Sequence, residues 1–134
     1  MTNVLLDTNI LIYALDDNSI FHQKASEILQ RDDLNLFVAT KNISEYFAVC
    51  SKLGIDRPKV YGFYEDLQLN VSFLFPSEES LLHFETLIKK YEPKGNRVFD
   101  LEIVSVMLAN NLVKIATFNI GDFKDVDEVE IFSI

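Results

Sequence analysis

Short apolar runs and helical periodicities take turns along this chain, and that alternation constrains its fold more than any other feature. Val4-Leu5-Leu6, Leu36-Phe37-Val38-Ala39, Val71 to Phe75, Lys114 to Phe118 and Val129 to Phe132 read as strands, because each is a brief apolar run bounded by polar or turn residues. Between them lie stretches with apolar residues at helical spacing: Asn9 to Leu15, Phe21 to Gln30, Pro58 to Gln68 and Val98 to Asn111. Another carries Ile43, Tyr46, Phe47, Cys50 and Leu53, and a further one carries Leu81, Leu82, Phe84, Leu87 and Ile88. Thr40 is the expected N-cap of the helix that contains Glu45, and Gly54 its expected stop. Strand-helix alternation calls for a mostly parallel sheet with helices on both faces, a three-layer α/β/α sandwich. The strands show little polar alternation, as expected of strands covered on both sides. No repeat, low-complexity tract or linker interrupts the pattern, so residues 1–134 read as one domain.

In such a sheet the strands end at one edge, the following helices begin there, and ligands bind where the strand order reverses. Four acids from separate segments map to that edge. Asp7 follows the first strand, and Glu45 lies early in the helix after the second. Asp100 begins a helix, and Asp122 comes just past the Lys114–Phe118 run. Each alone has an ordinary explanation as a turn former, a helix cap or a solvated side chain. Together they are carboxylates that repel one another unless a cation or protons intervene. Oxygen ligands suit Mg²⁺ or Mn²⁺, and such ions activate water and stabilise the departing oxygen of a phosphodiester.

Composition narrows the partners. The net charge is −9, with 6 basic and 10 acidic side chains in residues 1–70 and 6 and 11 in residues 71–134. A protein that wraps nucleic acid over a broad surface is basic, so any such contact here uses a small patch or a metal. Lys89, Lys90, Lys94 and Arg97 precede Asp100 closely, and Lys94 and Arg97 are candidates to hold the phosphates of a substrate. His22 and His83 lack zinc-ligand spacing. No G-x-S-x-G turn, Walker loop or dinucleotide fingerprint is present. The single cysteine, Cys50, reads as a small buried apolar residue. The opening Met1-Thr2-Asn3-Val4 does not read as a signal peptide, and no apolar run is long enough to span a membrane. A cytoplasmic protein is the expectation.

Leu5-Leu6-Asp7-Thr8-Asn9-Ile10-Leu11-Ile12 resembles the opening motif of PIN-domain proteins. Ile43-Ser44-Glu45 resembles their second acidic site, Val98-Phe99-Asp100 the third, and Ala116-Thr117-Phe118-Asn119-Ile120-Gly121-Asp122-Phe123 the closing motif. The resemblance covers almost the whole chain in order. It implies a PIN-like α/β/α fold and an Mg²⁺- or Mn²⁺-dependent endoribonuclease, most similar to the VapC-type toxins of bacterial toxin–antitoxin pairs. It further implies a homodimer silenced by an antitoxin protein. Asp7, Glu45, Asp100 and Asp122 become the catalytic and metal-binding set, joined by the amide oxygen of Asn119, with Thr8, Asn9 and Thr117 supporting them by hydrogen bonds. Many members carry an acid where this chain has Asn119, and close relatives often have histidine at the position of Phe99.

Two other classes fit parts of the pattern. A PIN-like domain weakened by Asn119 would act as a protein- or RNA-binding module. A phosphorelay receiver is also a parallel α/β domain with acids at strand ends. That class expects a second acid near Asp7 and an Asp after the Val71–Phe75 strand, where this chain has Phe75-Pro76.

Overall fold

The computed structural model describes residues 1–134, and it builds the expected three layers. Five strands, β1 (Thr2–Leu6), β2 (Leu34–Ala39), β3 (Ser72–Leu74), β4 (Lys114–Ala116) and β5 (Glu130–Ile131), form one sheet in the order β3-β2-β1-β4-β5. Every neighbouring pair is parallel. Six helices connect them: α1 (Thr8–Leu15), α2 (His22–Leu29), α3 (Thr40–Leu53), α4 (Arg57–Asn70), α5 (Glu78–Tyr91) and α6 (Arg97–Ala109).

Strand side chains divide between two cores by the two-residue period of a strand. Val4 and Leu6 pack with Leu36, Val38, Ile10, Leu11, Ala25, Ile28, Tyr46 and Cys50 under α1 to α4. Leu5, between them, joins Ala39, Leu74 and Ile115 against Leu87, Leu101, Ile103, Val104 and Met107 of α5 and α6. Val4, Leu5 and Leu6 are all fully buried. A strand with both faces covered has no polar face to show, and this explains why the run is continuously apolar.

Several boundaries differ from the sequence reading. The helix after β2 begins at Thr40 itself, with Ala39 at the N-cap position. Thr40 is therefore inside the helix and is not the cap. Asn42 supplies the capping contact instead, its Oδ1 accepting the Ala39 N–H at 2.9 Å. Gly54 ends the helix with φ +68°, where the missing Cβ removes the left-handed penalty. The strand expected over Lys114–Phe118 stops at Ala116; beyond it the Phe118 N–H donates to the Asn9 side chain, not to a neighbouring strand. On α5 the buried stripe runs through Ser80 and Leu87, while Leu81 and Leu82 are exposed. Cys50 is buried and unpaired. No helix is long and apolar enough to cross a membrane.

Candidate active site

The strand order reverses between β1 and β4: the chain runs outward from β1 through β2 to β3, then returns to β4 on the other side of β1. Parallel strands leave a crevice at such a point, beyond their carboxyl ends. Asp7 directly follows β1, and its N–H donates to the Ala116 carbonyl of β4 at 2.9 Å. The ends of both strands are therefore stitched together at the mouth of the crevice.

A cleft of about 240 Å³ opens there, lined by Asp7, Thr8, Asn9, Glu45, Asp100, Asn119 and Asp122, with Ile12, Tyr13 and Val49 as its apolar part. The four acids and Asn119 thus come from four separate places in the chain to one hollow. Their side chains do not close on a point: no three acidic, histidine or cysteine groups converge as a ready ligand set.

Asp7 is held in place from several sides. It is the N-cap of α1, and its Oδ1 accepts the Thr8 N–H at 2.8 Å. Its Oδ2 accepts the Thr117 hydroxyl at 2.8 Å and the Asn9 amide at 3.1 Å. The Thr117 oxygen in turn accepts from Asn9 Nδ2 at 3.1 Å and from the Asn119 N–H at 3.0 Å. One donated and two accepted bonds use the full capacity of that hydroxyl. Asn9 Oδ1 accepts the Phe118 N–H at 3.1 Å and so ties the closing loop to α1. Thr8 supports Asp7 through its backbone, whereas its hydroxyl accepts from Asn42 Nδ2 at 3.2 Å.

The opposite wall is built differently. Glu45, in the second turn of α3, has an Oε1 that is buried without a hydrogen-bond partner. Asp100 sits in the first turn of α6, near the positive end of the helix. Asp122 lies in a single 3₁₀ turn, Ile120–Asp122, whose carbonyl accepts from Arg97 Nη2 at 3.0 Å.

Burial is the main reason three of these carboxyls hold their protons more tightly than usual. For Asp7, burial outweighs the lowering effect of the Thr117 and Thr8 hydrogen bonds, and the Asp122 charge adds to the rise. For Glu45, burial and the Asp7 charge raise the pKa against the pull of Lys41. Asp100 is pushed up to about 7 by burial and then by Asp122, Asp7 and Glu45, with Arg97 opposing. Each carboxylate therefore feels the others through a poorly screened medium.

The basic residues fall unevenly. Arg97 reaches the rim, while Lys94 lies exposed in the loop between α5 and α6 and lines neither the cleft nor the groove beside it. Lys41 was not singled out in the sequence. It stands one helical turn before Glu45 and shares a groove with Glu45, Asp100 and Asp122. The acidic rim therefore has two cations beside it, Arg97 as expected and Lys41 in addition. Asn42, fully buried, is the second omission. Its only sequence signal is a polar residue on the inward face of a helix, three residues after the strand end.

Similarity to known proteins follows the same outline. The sequence matches the PIN domain family over residues 4–129, and no curated protein sequence is detectably similar to it. Among solved structures, VapC20 of Mycobacterium tuberculosis, a sarcin-ricin loop cleaving toxin, superposes with a TM-score of 0.76 at 16% identity, covering 97% of this chain and 99% of that one. A chain of the VapBC2 complex of Rickettsia felis, bound to a promoter DNA fragment, gives 0.73 at 20% identity, with 98% and 100% covered. A chain of VapBC-1 from nontypeable Haemophilus influenzae gives 0.68 at 24% identity, with 98% of each chain covered. The family match spans β1 to the threshold of β5, including every residue of the acidic cleft, and the chain is a member of the PIN-domain family.

Proposed function

We propose that the protein is a divalent-metal-dependent endoribonuclease that hydrolyses RNA phosphodiester bonds, acting as the toxin of a bacterial toxin–antitoxin pair. The observation that carries this reading is the unpartnered, buried Oε1 of Glu45, a residue that lines one cleft with three other carboxyls. A buried oxygen without a donor costs on the order of 1–3 kcal/mol, and a hard cation relieves that cost as no neighbouring side chain does. An all-oxygen donor set fits Mg²⁺ or Mn²⁺. Asp7, Glu45, Asp100 and Asp122 would hold the ion, with the Asn119 amide oxygen at the lip contributing a ligand but no charge. When bound, such an ion supplies an activated water and neutralises charge on the departing oxygen.

The chain's own residues do the rest. Asp7 is fixed in one orientation by Thr8, Asn9 and Thr117, so its position is set before substrate arrives. Asp100, whose pKa burial pushes up to about 7, would have to give up its proton to serve as a ligand, and near neutral pH that costs little. Arg97 and Lys94 are the basic residues proposed to meet RNA phosphates. The toxin role and the antitoxin partner draw support from the likeness to VapC and VapBC chains, and a homodimer is part of the same proposal.

The open arrangement of the acids favours one competing reading, a catalytically weak module that binds RNA or protein. Incubating single-stranded RNA with the protein and Mg²⁺ or Mn²⁺, beside the Asp7→Asn variant and a chelator control, separates the two. Cleavage lost in Asp7→Asn and in chelator supports the nuclease. Equal behaviour of both proteins supports the module.

A further inference from the structure

We propose that Lys41, positioned by Phe99 and paired across a groove with Arg97, forms a subsite for the RNA phosphate next to the one being cut. The subsite rests on the ribonuclease reading of the adjoining cleft and extends it to how the strand is held.

The groove measures about 470 Å³ and is lined by Lys41, Asn96, Arg97 and Phe99 together with Glu45, Asp100 and Asp122. Those three acids also line the carboxylate cleft, so the two hollows share a wall. A strand leaving the cleft enters a groove whose cations come from the start of α3 and the start of α6. Elsewhere on this chain several cations are committed to acids: Arg31 to Asp33, Lys59 to Asp17 and Lys90 to Glu128. Lys41 has no such partner, and its Nζ sits 3.9 Å from the centroid of the Phe99 ring. A cation over an aromatic face is held in place without losing its hydrogen-bond donors. Arg97 uses one N–H on the Asp122 carbonyl and keeps the others for a ligand.

Charge makes the pair matter. With a net charge of −9 the surface as a whole repels a polyanion. A metal in the cleft attracts one phosphate, and the flanking phosphate needs its own countercharge. Lysine is a compact point charge with three donors and suits that task. The other role open to Lys41 is to offset the Glu45 carboxylate. That role predicts an effect on the acids and none on the substrate.

The test is steady-state cleavage of a short single-stranded RNA with Mn²⁺ at several salt concentrations. The proteins compared are wild type, Lys41→Gln, Lys41→Arg and Phe99→Leu, each checked for an unchanged melting transition and Mn²⁺-induced thermal shift. Lys41→Gln should raise KM about tenfold, leave kcat within about threefold, and flatten the log–log salt slope by roughly 0.7 for one lost phosphate contact. Lys41→Arg should restore most of the loss, and Phe99→Leu should raise KM by about threefold. Unchanged KM and slope in Lys41→Gln, or a fall confined to kcat, overturns the subsite while the ribonuclease reading stands. No cleavage by the wild type with either metal overturns that reading, and the subsite falls with it.

Discussion

The two walls of the cleft are built on opposite principles. The wall at the ends of β1 and β4 is saturated: Asp7, Asn9 and Thr117 bond to one another and to the backbone. The wall from α3 and α6 is deprived: the Glu45 Oε1 has no partner, and burial beside three other acids raises the Asp100 pKa to about 7. The first wall contributes stability and position. The second gives up stability in the metal-free protein and keeps its ligand capacity free. A buried carboxyl without partners is one that a cation can claim.

The contrast predicts effects of opposite sign on the two sides. The largest is on activity. Asp100→Asn should lower RNA cleavage by on the order of 10²–10³-fold, yet raise the melting temperature of the metal-free protein by a few degrees, since it removes a buried like charge. A lower melting temperature would break the comparison. Next is Thr117→Val, which leaves Asp7 Oδ2, the Asn9 amide and the Asn119 N–H short of a partner. It should destabilise the fold by about 1–3 kcal/mol in denaturant titration, with or without metal.

Acidity sharpens the same point. Folded Asp100 binds its proton more tightly than the unfolded chain does. Its contribution therefore favours the fold below the ordinary carboxyl range and declines as pH rises toward 7. Thermal melts of metal-free protein should show lower stability at pH 8 than at pH 5, by roughly 1–2 kcal/mol after solvent screening. Mn²⁺ should restore more at pH 8 than at pH 5, because it competes there with fewer protons. The smallest effect belongs to Asn119, exposed at the lip of the cleft. Asn119→Asp should tighten Mn²⁺ binding about threefold in a calorimetric titration.

How legible all this was in the sequence depended on whether a feature is local. The β1 run and Asp7-Thr8-Asn9 carry their own context: three apolar residues, then an acid at a strand end. Alternation of strands and helices was enough to place four acids on one edge, because parallel connectivity leaves no choice of edge. Features that depend on packing across elements were not legible. Thr40 looked like the better cap, yet Asn42 takes that role because its side chain also reaches Thr8 on α1. Phe118 looked like strand, but a bond from its N–H to Asn9, 109 residues away in sequence, draws it into the site. Leu81 and Leu82 fit a helical stripe and still lie outside, since the α5 face is chosen by contact with α6. Lys41 carried no signal, because nothing in its neighbourhood foretells that the start of α6 will lie opposite.

The bond from Thr117 to Asp7 spans 110 residues of chain. Contacts of such long range form only after the intervening chain has been gathered. The arrangement of the cleft is therefore tied to the integrity of β4, a strand of three residues. On gentle heating the cleft should lose its arrangement before the helices melt, so any activity that depends on it should disappear first.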